Sequence, residues 1–244
     1  MTENTSSHPV ALITGGSAGL GLTVAGFLAA QGYDLILTGR DARRLAGAVA
    51  GLREQGGQAQ GIPGDVGDPA HRQALVAAVA ARGRLDLLLN NASTLGPLPM
   101  LPLSDYPPEA LRQVLEVNTL APLALIQGLQ SLLVNGRGLV VNLTSDAAVG
   151  GYPGWGGYGA SKAALELISR TLAAELGDAG IYVIVVDPGD MRTQMHQDAF
   201  AGEDISDRPL PEITLPFWGW LLGQEPRPIT GRRFQAQAER WETA

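Results

Sequence analysis

Val10-Ala-Leu-Ile-Thr-Gly-Gly-Ser-Ala-Gly-Leu-Gly21 sets the reading of the whole chain. Its first five residues are an apolar run bounded by Pro9 and Gly15, the pattern of a short strand buried on both faces of a parallel sheet. A glycine-rich turn follows at once, and then an apolar helical pattern through about Ala30. Glycines between a strand and a helix let the backbone turn tightly and approach a pyrophosphate, which sits at the positive end of the helix dipole.

The same unit recurs along the chain. Leu35–Thr38, Gln58–Ile62, Leu85–Leu89, Gly138–Thr144 and Ile181–Val186 read as further strands. Helical patterns over Asp41–Gln55, Pro69–Arg82, Pro107–Val134 and Tyr158–Leu176 fill the spaces between them. Strand–helix alternation with no internal repeat and no linker predicts a single α/β domain built on a doubly wound parallel sheet. The predicted domain spans residues 9–236, with residues 1–8 as a flexible N-terminus.

Composition narrows the chemistry. The net charge is −7 and no basic stripe is visible, so nucleic acid is not an expected partner. Cysteine is absent, which removes disulfides and thiolate chemistry, and His8, His71 and His196 are too scattered for a ligand motif, so no metal is expected. The polar start lacks an apolar signal core, and no apolar run reaches membrane-spanning length free of charge or turn residues. A cytoplasmic protein with no membrane partner is the expectation.

The end of the second strand bears on nucleotide choice. NAD-selective dinucleotide folds place a carboxylate there to bond the ribose hydroxyls. Here the residues are Gly39-Arg40, and a guanidinium can pair bidentately with a 2′-phosphate. Asp41, one step on, is expected to cap the next helix. NADP(H) is therefore favoured over NAD(H).

Lys162 is the one lysine; every other member of the 17 Lys+Arg residues is arginine. Tyr158 lies four residues earlier, so on a helix the two share a face. They are either a surface contact or a pair in which the ammonium favours the phenolate and lowers the tyrosine pKa. Ser145 ends the fifth strand, where open α/β sheets bind ligands, and has no histidine near it in sequence to make it a nucleophile. Asn118 interrupts an apolar stretch, and Pro122 removes the N–H that would bond its carbonyl in an α-helix. The result is either a tolerated kink or a carbonyl able to hold water.

Together these motifs resemble the short-chain dehydrogenase/reductase family in its branch of about 250 residues, from Val10 to about Phe234. The T-G-x-x-x-G-x-G pattern is met at Thr14, Gly15, Gly19 and Gly21. D-V is Asp65-Val66, and N-N-A-G appears as Asn90-Asn91-Ala92 with Ser93 in place of the last glycine. P-G-x-x-x-T falls on Pro188, Gly189 and Thr193. The resemblance implies a Rossmann-like, seven-stranded parallel sheet flanked by helices. It also implies a cofactor site at Gly15, Ser17, Gly19, Leu20, Gly21, Arg40, Asp65, Val66, Asn91, Ala92, Tyr158, Lys162, Pro188, Gly189 and Thr193. It casts Asn118, Ser145, Tyr158 and Lys162 as the catalytic set. Tyr158 would act as acid or base, Lys162 would lower its pKa and bond the nicotinamide ribose, Ser145 would hold the substrate oxygen, and Asn118 would hold a water. Hydride would pass between the nicotinamide and a small carbonyl or alcohol substrate without a metal. Asp146, beside Ser145, would either touch a polar substrate or cap its loop.

A variable lid is expected over about 190–224, where Met191, Met195, Phe200, Phe217, Trp218 and Trp220, with Trp155 upstream, either line an apolar pocket or form core. The helix from Tyr158 is apolar over more than one stripe, which predicts a homodimer or homotetramer. The alternatives are an idle NADP-binding regulator, or a dehydratase or epimerase on the same fold.

Overall fold

The computed structural model describes residues 7–242. Of the stretch read as a flexible N-terminus, residues 1–6 lie outside the described residues, and His8 bonds the Gly32 carbonyl (3.2 Å).

The elements run β1 (Val10–Thr14), α1 (Gly19–Ala30), β2 (Asp34–Gly39), α2 (Ala42–Glu54), β3 (Gln58–Pro63), α3 (Pro69–Ala80), β4 (Leu87–Asn90), α4 (Pro108–Leu115), α5 (Ala121–Asn135), β5 (Leu139–Leu143), α6 (Gly156–Leu176), β6 (Tyr182–Asp187), α7 (Gln194–Ala199), α8 (Leu215–Leu222), α9 (Pro226–Ile229) and β7 (Arg233–Gln235). The seven strands form one parallel sheet in the order β3-β2-β1-β4-β5-β6-β7. Strand order reverses between β1 and β4, which opens a crevice at their carboxyl ends.

Strand residues alternate between two cores, as the two-residue period of a strand dictates. Ala11, Ile13, Leu35, Leu37, Leu87 and Leu89 face the layer of α1, α2 and α8. Val10, Leu12, Ile36 and Leu88 face the layer of α3, α5 and α6.

Two expectations change. The long helix predicted over Pro107–Val134 divides into α4, a π-helical turn at Glu116–Leu120, and α5. The Ala121 N–H reaches the Glu116 carbonyl, an i→i−5 bond. Pro122 has no N–H to continue the regular ladder, and the added residue is taken up one step before it. By length and composition Pro108–Asn135 would pass for a membrane span. Its apolar stripe is spent on the core, however, with Ala121, Leu125, Ile126, Leu129 and Leu133 buried against the sheet.

The segment predicted as a lid also divides. Met191, Met195 and Phe200 border a pocket. Phe217 and Trp218 are fully buried in the α1-side core, and Trp220 packs edge-on to Phe234 and tilted against Trp241. Residues from α8 onward thus anchor the sheet edge, and the packing runs past residue 236 to Trp241.

Candidate active site

Two depressions meet at the carboxyl ends of the strands. The first, about 290 Å³, lies over β1, β2 and β4. Its floor is made where Thr14 Oγ1 accepts from the amides of Asn91 and Ala92 (both 3.0 Å), tying the end of β4 to that of β1. Asn91 Nδ2 donates to the carbonyls of Thr14 (2.8 Å) and Gly15 (3.0 Å). Gly15, at φ +66°, leaves no room for a side chain, since a Cβ there would stand 2.7 Å from Asn91 Nδ2. Gly21 serves the same packing from behind: a Cβ would meet the Gly15 carbonyl at 2.4 Å.

Gly15, Ser17, Gly19 and Leu20 line this cleft at the start of α1, whose amides take no side-chain cap and whose first turn holds no acid. Bare amides at a helix N-terminus suit a phosphate. Arg40 stands exposed at the rim just past β2. Its neighbour Asp41 is committed elsewhere, accepting from the amides of Arg43 (2.9 Å) and Arg44 (3.0 Å), bonds that pull its pKa below the usual range. Asp65 accepts from Gly67 N (2.8 Å) and shapes the turn that brings Val66 to the wall. The cleft therefore offers amides for a pyrophosphate and a guanidinium at the rim with no free carboxylate from Asp41, a set that fits a phosphorylated dinucleotide.

The second depression, about 570 Å³, is roomy enough for a drug-sized molecule. Leu95, Trp155, Met195 and Phe200 give it an apolar wall, and Asp146, Asp190 and His196 edge it. Tyr158, Pro188, Thr193 and Met191 line both depressions, so they form the partition. Gly189 faces only the second; Thr193 also caps α7, accepting from His196 N (3.3 Å).

At the partition, α6 presents Tyr158 and Lys162 on one face, both buried. Lys162 Nζ donates to the Leu143 carbonyl (2.9 Å) and lies 5.6 Å from the centre of the Tyr158 ring. Burial pulls the lysine pKa down to about 8. Burial also pushes the Tyr158 phenol well above its ordinary value. Asp187 and Asp146 add to that rise, while hydrogen bonds with Ser93 and Ser145 oppose it. The expectation of a phenol lowered by its lysine is thereby corrected. The ring is almost fully removed from water, and desolvation of the anion is the largest influence on it.

Ser145 Oγ donates to Asp146 Oδ1 (2.9 Å) and accepts from Ala147 N (3.1 Å), capping the short turn after β5. The side chain that caps this turn is Ser145 rather than Asp146, whose carboxylate accepts from Ser145 and edges the second depression. Asn118 lines neither depression. It is fully buried in the π turn, where its Oδ1 accepts from Thr94 N (2.8 Å) and Ser93 Oγ (3.1 Å). Its Nδ2 donates to the Thr94 carbonyl and Ser161 Oγ (both 2.9 Å). All four positions of the amide are taken, so a water at this residue would meet its main chain.

Three contributors were missed in sequence. Ser93 showed only as a departure from a family glycine. His71, buried under the cleft, pairs with Thr38 Oγ1 (2.7 Å), and burial depresses its pKa. Arg233 on β7 donates to Glu166 (3.0 Å), Asp187 (3.0 Å) and the Ser145 carbonyl (3.2 Å), bracing the backbone behind the partition. No local pattern links Arg233 to partners 46 to 88 residues away.

Comparison with known proteins agrees with this architecture. The family model for short chain dehydrogenases matches residues 9–204. The uncharacterized oxidoreductase YciK of Escherichia coli K12 is 34% identical over 236 residues, covering 95% of this chain and 92% of that protein. A protein of Shigella flexneri 2a str. 301 described as a short chain dehydrogenase, complexed with NADP, superimposes with a TM-score of 0.87 at 31% identity, covering 98% of this chain and all of the other. A variant of the actinorhodin polyketide ketoreductase with NADPH superimposes at 0.84 with 26% identity, covering 95% and 97%. A family match across most of the chain, carried by the same seven-stranded fold, leads to one conclusion: the chain belongs to the short chain dehydrogenase family of oxidoreductases.

Proposed function

We propose that this protein reduces a ketone at the expense of NADPH, with Tyr158 as the general acid. The observation that carries the reading is the place of Tyr158, which lines both depressions at once. When bound in the first, the nicotinamide would supply the hydride. Arg40 would hold the 2′-phosphate, the bare amides of α1 the pyrophosphate, and Lys162 the ribose. Ser145 would steady the substrate oxygen, and Tyr158 would pass it a proton. A protonated phenol beside the substrate oxygen and NADPH as the hydride donor together make reduction the direction proposed. The apolar wall favours an apolar or aromatic ketone. NADP- and NADPH-bound neighbours support the cofactor. An NADPH-oxidation screen across carbonyl classes tests the proposal; binding of NADPH with no turnover of any ketone would replace it with a nucleotide-binding role.

Arg40→Ala should weaken NADPH binding by about 1.5–3 kcal/mol while leaving NADH unchanged, because a charge-assisted contact to one phosphate is lost. Titration calorimetry with both cofactors reads this directly. Equal losses would show that Arg40 does not read the 2′-phosphate.

Leu167 on α6 is 61% exposed, with Leu120 before α5 and Val134 on α5 about half exposed. The sheet covers the inner side of these helices, and a second copy is proposed to cover the outer side. Light scattering at micromolar concentration should give at least a dimer mass; a monomer would refute this.

A further inference from the structure

Tyr158 is hemmed in by groups that oppose its anion. Asp146 follows β5, and Asp187 ends β6, where it is paired with Arg233. Asp190 and His196 also line the pocket. On the phenol's own helix, Lys162 is turned to the Leu143 carbonyl. A phenolate here needs a hydrogen-bond donor close by, and two hydroxyl residues share its walls: Ser93 lines the first depression with Tyr158, and Ser145 lines the second with it.

They differ in what their protons already do. The Ser145 proton goes to the Asp146 carboxylate, and withdrawing it would weaken a charge-assisted bond. The Ser93 proton goes to Asn118 Oδ1, which accepts independently from Thr94 N at 2.8 Å. If Ser93 turns away, that oxygen keeps a partner and nothing is left orphaned. Asn118 itself is held by its two amide donations, so the acceptor does not follow. Ser93 also holds its place without left-handed strain, because no described non-glycine residue has a positive φ.

We propose that Ser93 is a positioning residue for Tyr158, its hydroxyl resting on Asn118 and turning to donate to the phenolate once the proton has left. The inference rests on the reading of Tyr158 as the acid. The phenol proton goes to the substrate oxygen, while the serine keeps its own proton and merely changes acceptor. Reprotonation of the phenolate from solvent returns the hydroxyl to Asn118.

The test follows the phenol itself and needs no substrate. Protein labelled with carbon-13 at tyrosine Cζ is titrated with and without saturating NADP+, and the Tyr158 resonance is assigned from its loss in Tyr158→Phe. In Ser93→Ala and Ser93→Gly the Tyr158 midpoint should move up by about one pH unit, the scale of one lost bond to a charged oxygen. Ser93→Thr, which keeps a hydroxyl, should restore it. Circular dichroism melts confirm that the variants fold. An unshifted midpoint in Ser93→Ala, a shift that threonine does not reverse, or a phenol that begins to ionise no earlier in the wild-type NADP+ complex than in that of Ser93→Ala would each overturn the proposal. Failure of the underlying reading is seen separately, as near wild-type ketone turnover by Tyr158→Phe.

Discussion

Tyr158→Phe should lower kcat for ketone reduction by about 10³-fold, within the range that a positioned acid contributes. The change removes one oxygen and leaves the ring edge-on to Trp155, centroids 5.7 Å apart, so the partition keeps its shape. NADPH affinity should therefore hold within about twofold, because a phenol that acts only on the substrate oxygen contributes to the transition state and little to the ground state. Stopped-flow turnover and a fluorescence titration of NADPH separate the two effects. A parallel loss of affinity and rate would mean that the hydroxyl is a binding group, and retention of turnover would leave the mechanism without its acid.

Lys162→Arg and Lys162→Met should each lower kcat by at least about 10²-fold. Lys162 is 2% exposed and its ammonium fits against the Leu143 carbonyl, a space for a compact cation and not for a planar fork. Stability should move differently. The folded-state pKa of about 8 lies below the ordinary 10.5, so the unfolded chain holds this proton more tightly. The cost of burying the charge is present in full below pH 8 and is relieved as pH rises through 10.5. Melting of ligand-free Lys162→Met, relative to wild type, should thus be most favourable near pH 7 and lose that advantage toward pH 10. A relative stability that does not change with pH would show that the ammonium is not paying for its burial, and near wild-type turnover in Lys162→Arg would show that any cation serves.

How much of this was legible in the chain varies by element. The strand–loop–helix of Val10–Ala30 could be read because its determinants are local: an apolar run, glycines where the backbone must turn, and a helical period. Asp41 could be placed as a cap for the same reason, and its side chain does accept from the amides of Arg43 and Arg44. The spacing of Tyr158 and Lys162 put them on one helix face because four residues make about one turn.

Their electrostatics could not be read that way. A pKa depends on burial and on every charge nearby, and Asp187 and Ser93 reach Tyr158 only through the fold. The same holds for the aromatic residues after position 190. Composition made Phe200 and Trp218 equivalent, whereas the sheet edge buries Trp218 in the core and leaves Phe200 against the pocket. Pro122 announced an irregularity, but a π turn that turns Asn118 inward to Ser93, Thr94 and Ser161 required the facing loop and α6 to be in place. The sequence by itself determined the alternation of elements, the glycine loop and the order of the chemistry-bearing residues, because each rests on neighbours along the chain. Only the tertiary structure decided which of those residues share a wall, which are buried, and which hydroxyls meet the phenol, because those depend on contacts between segments far apart in sequence.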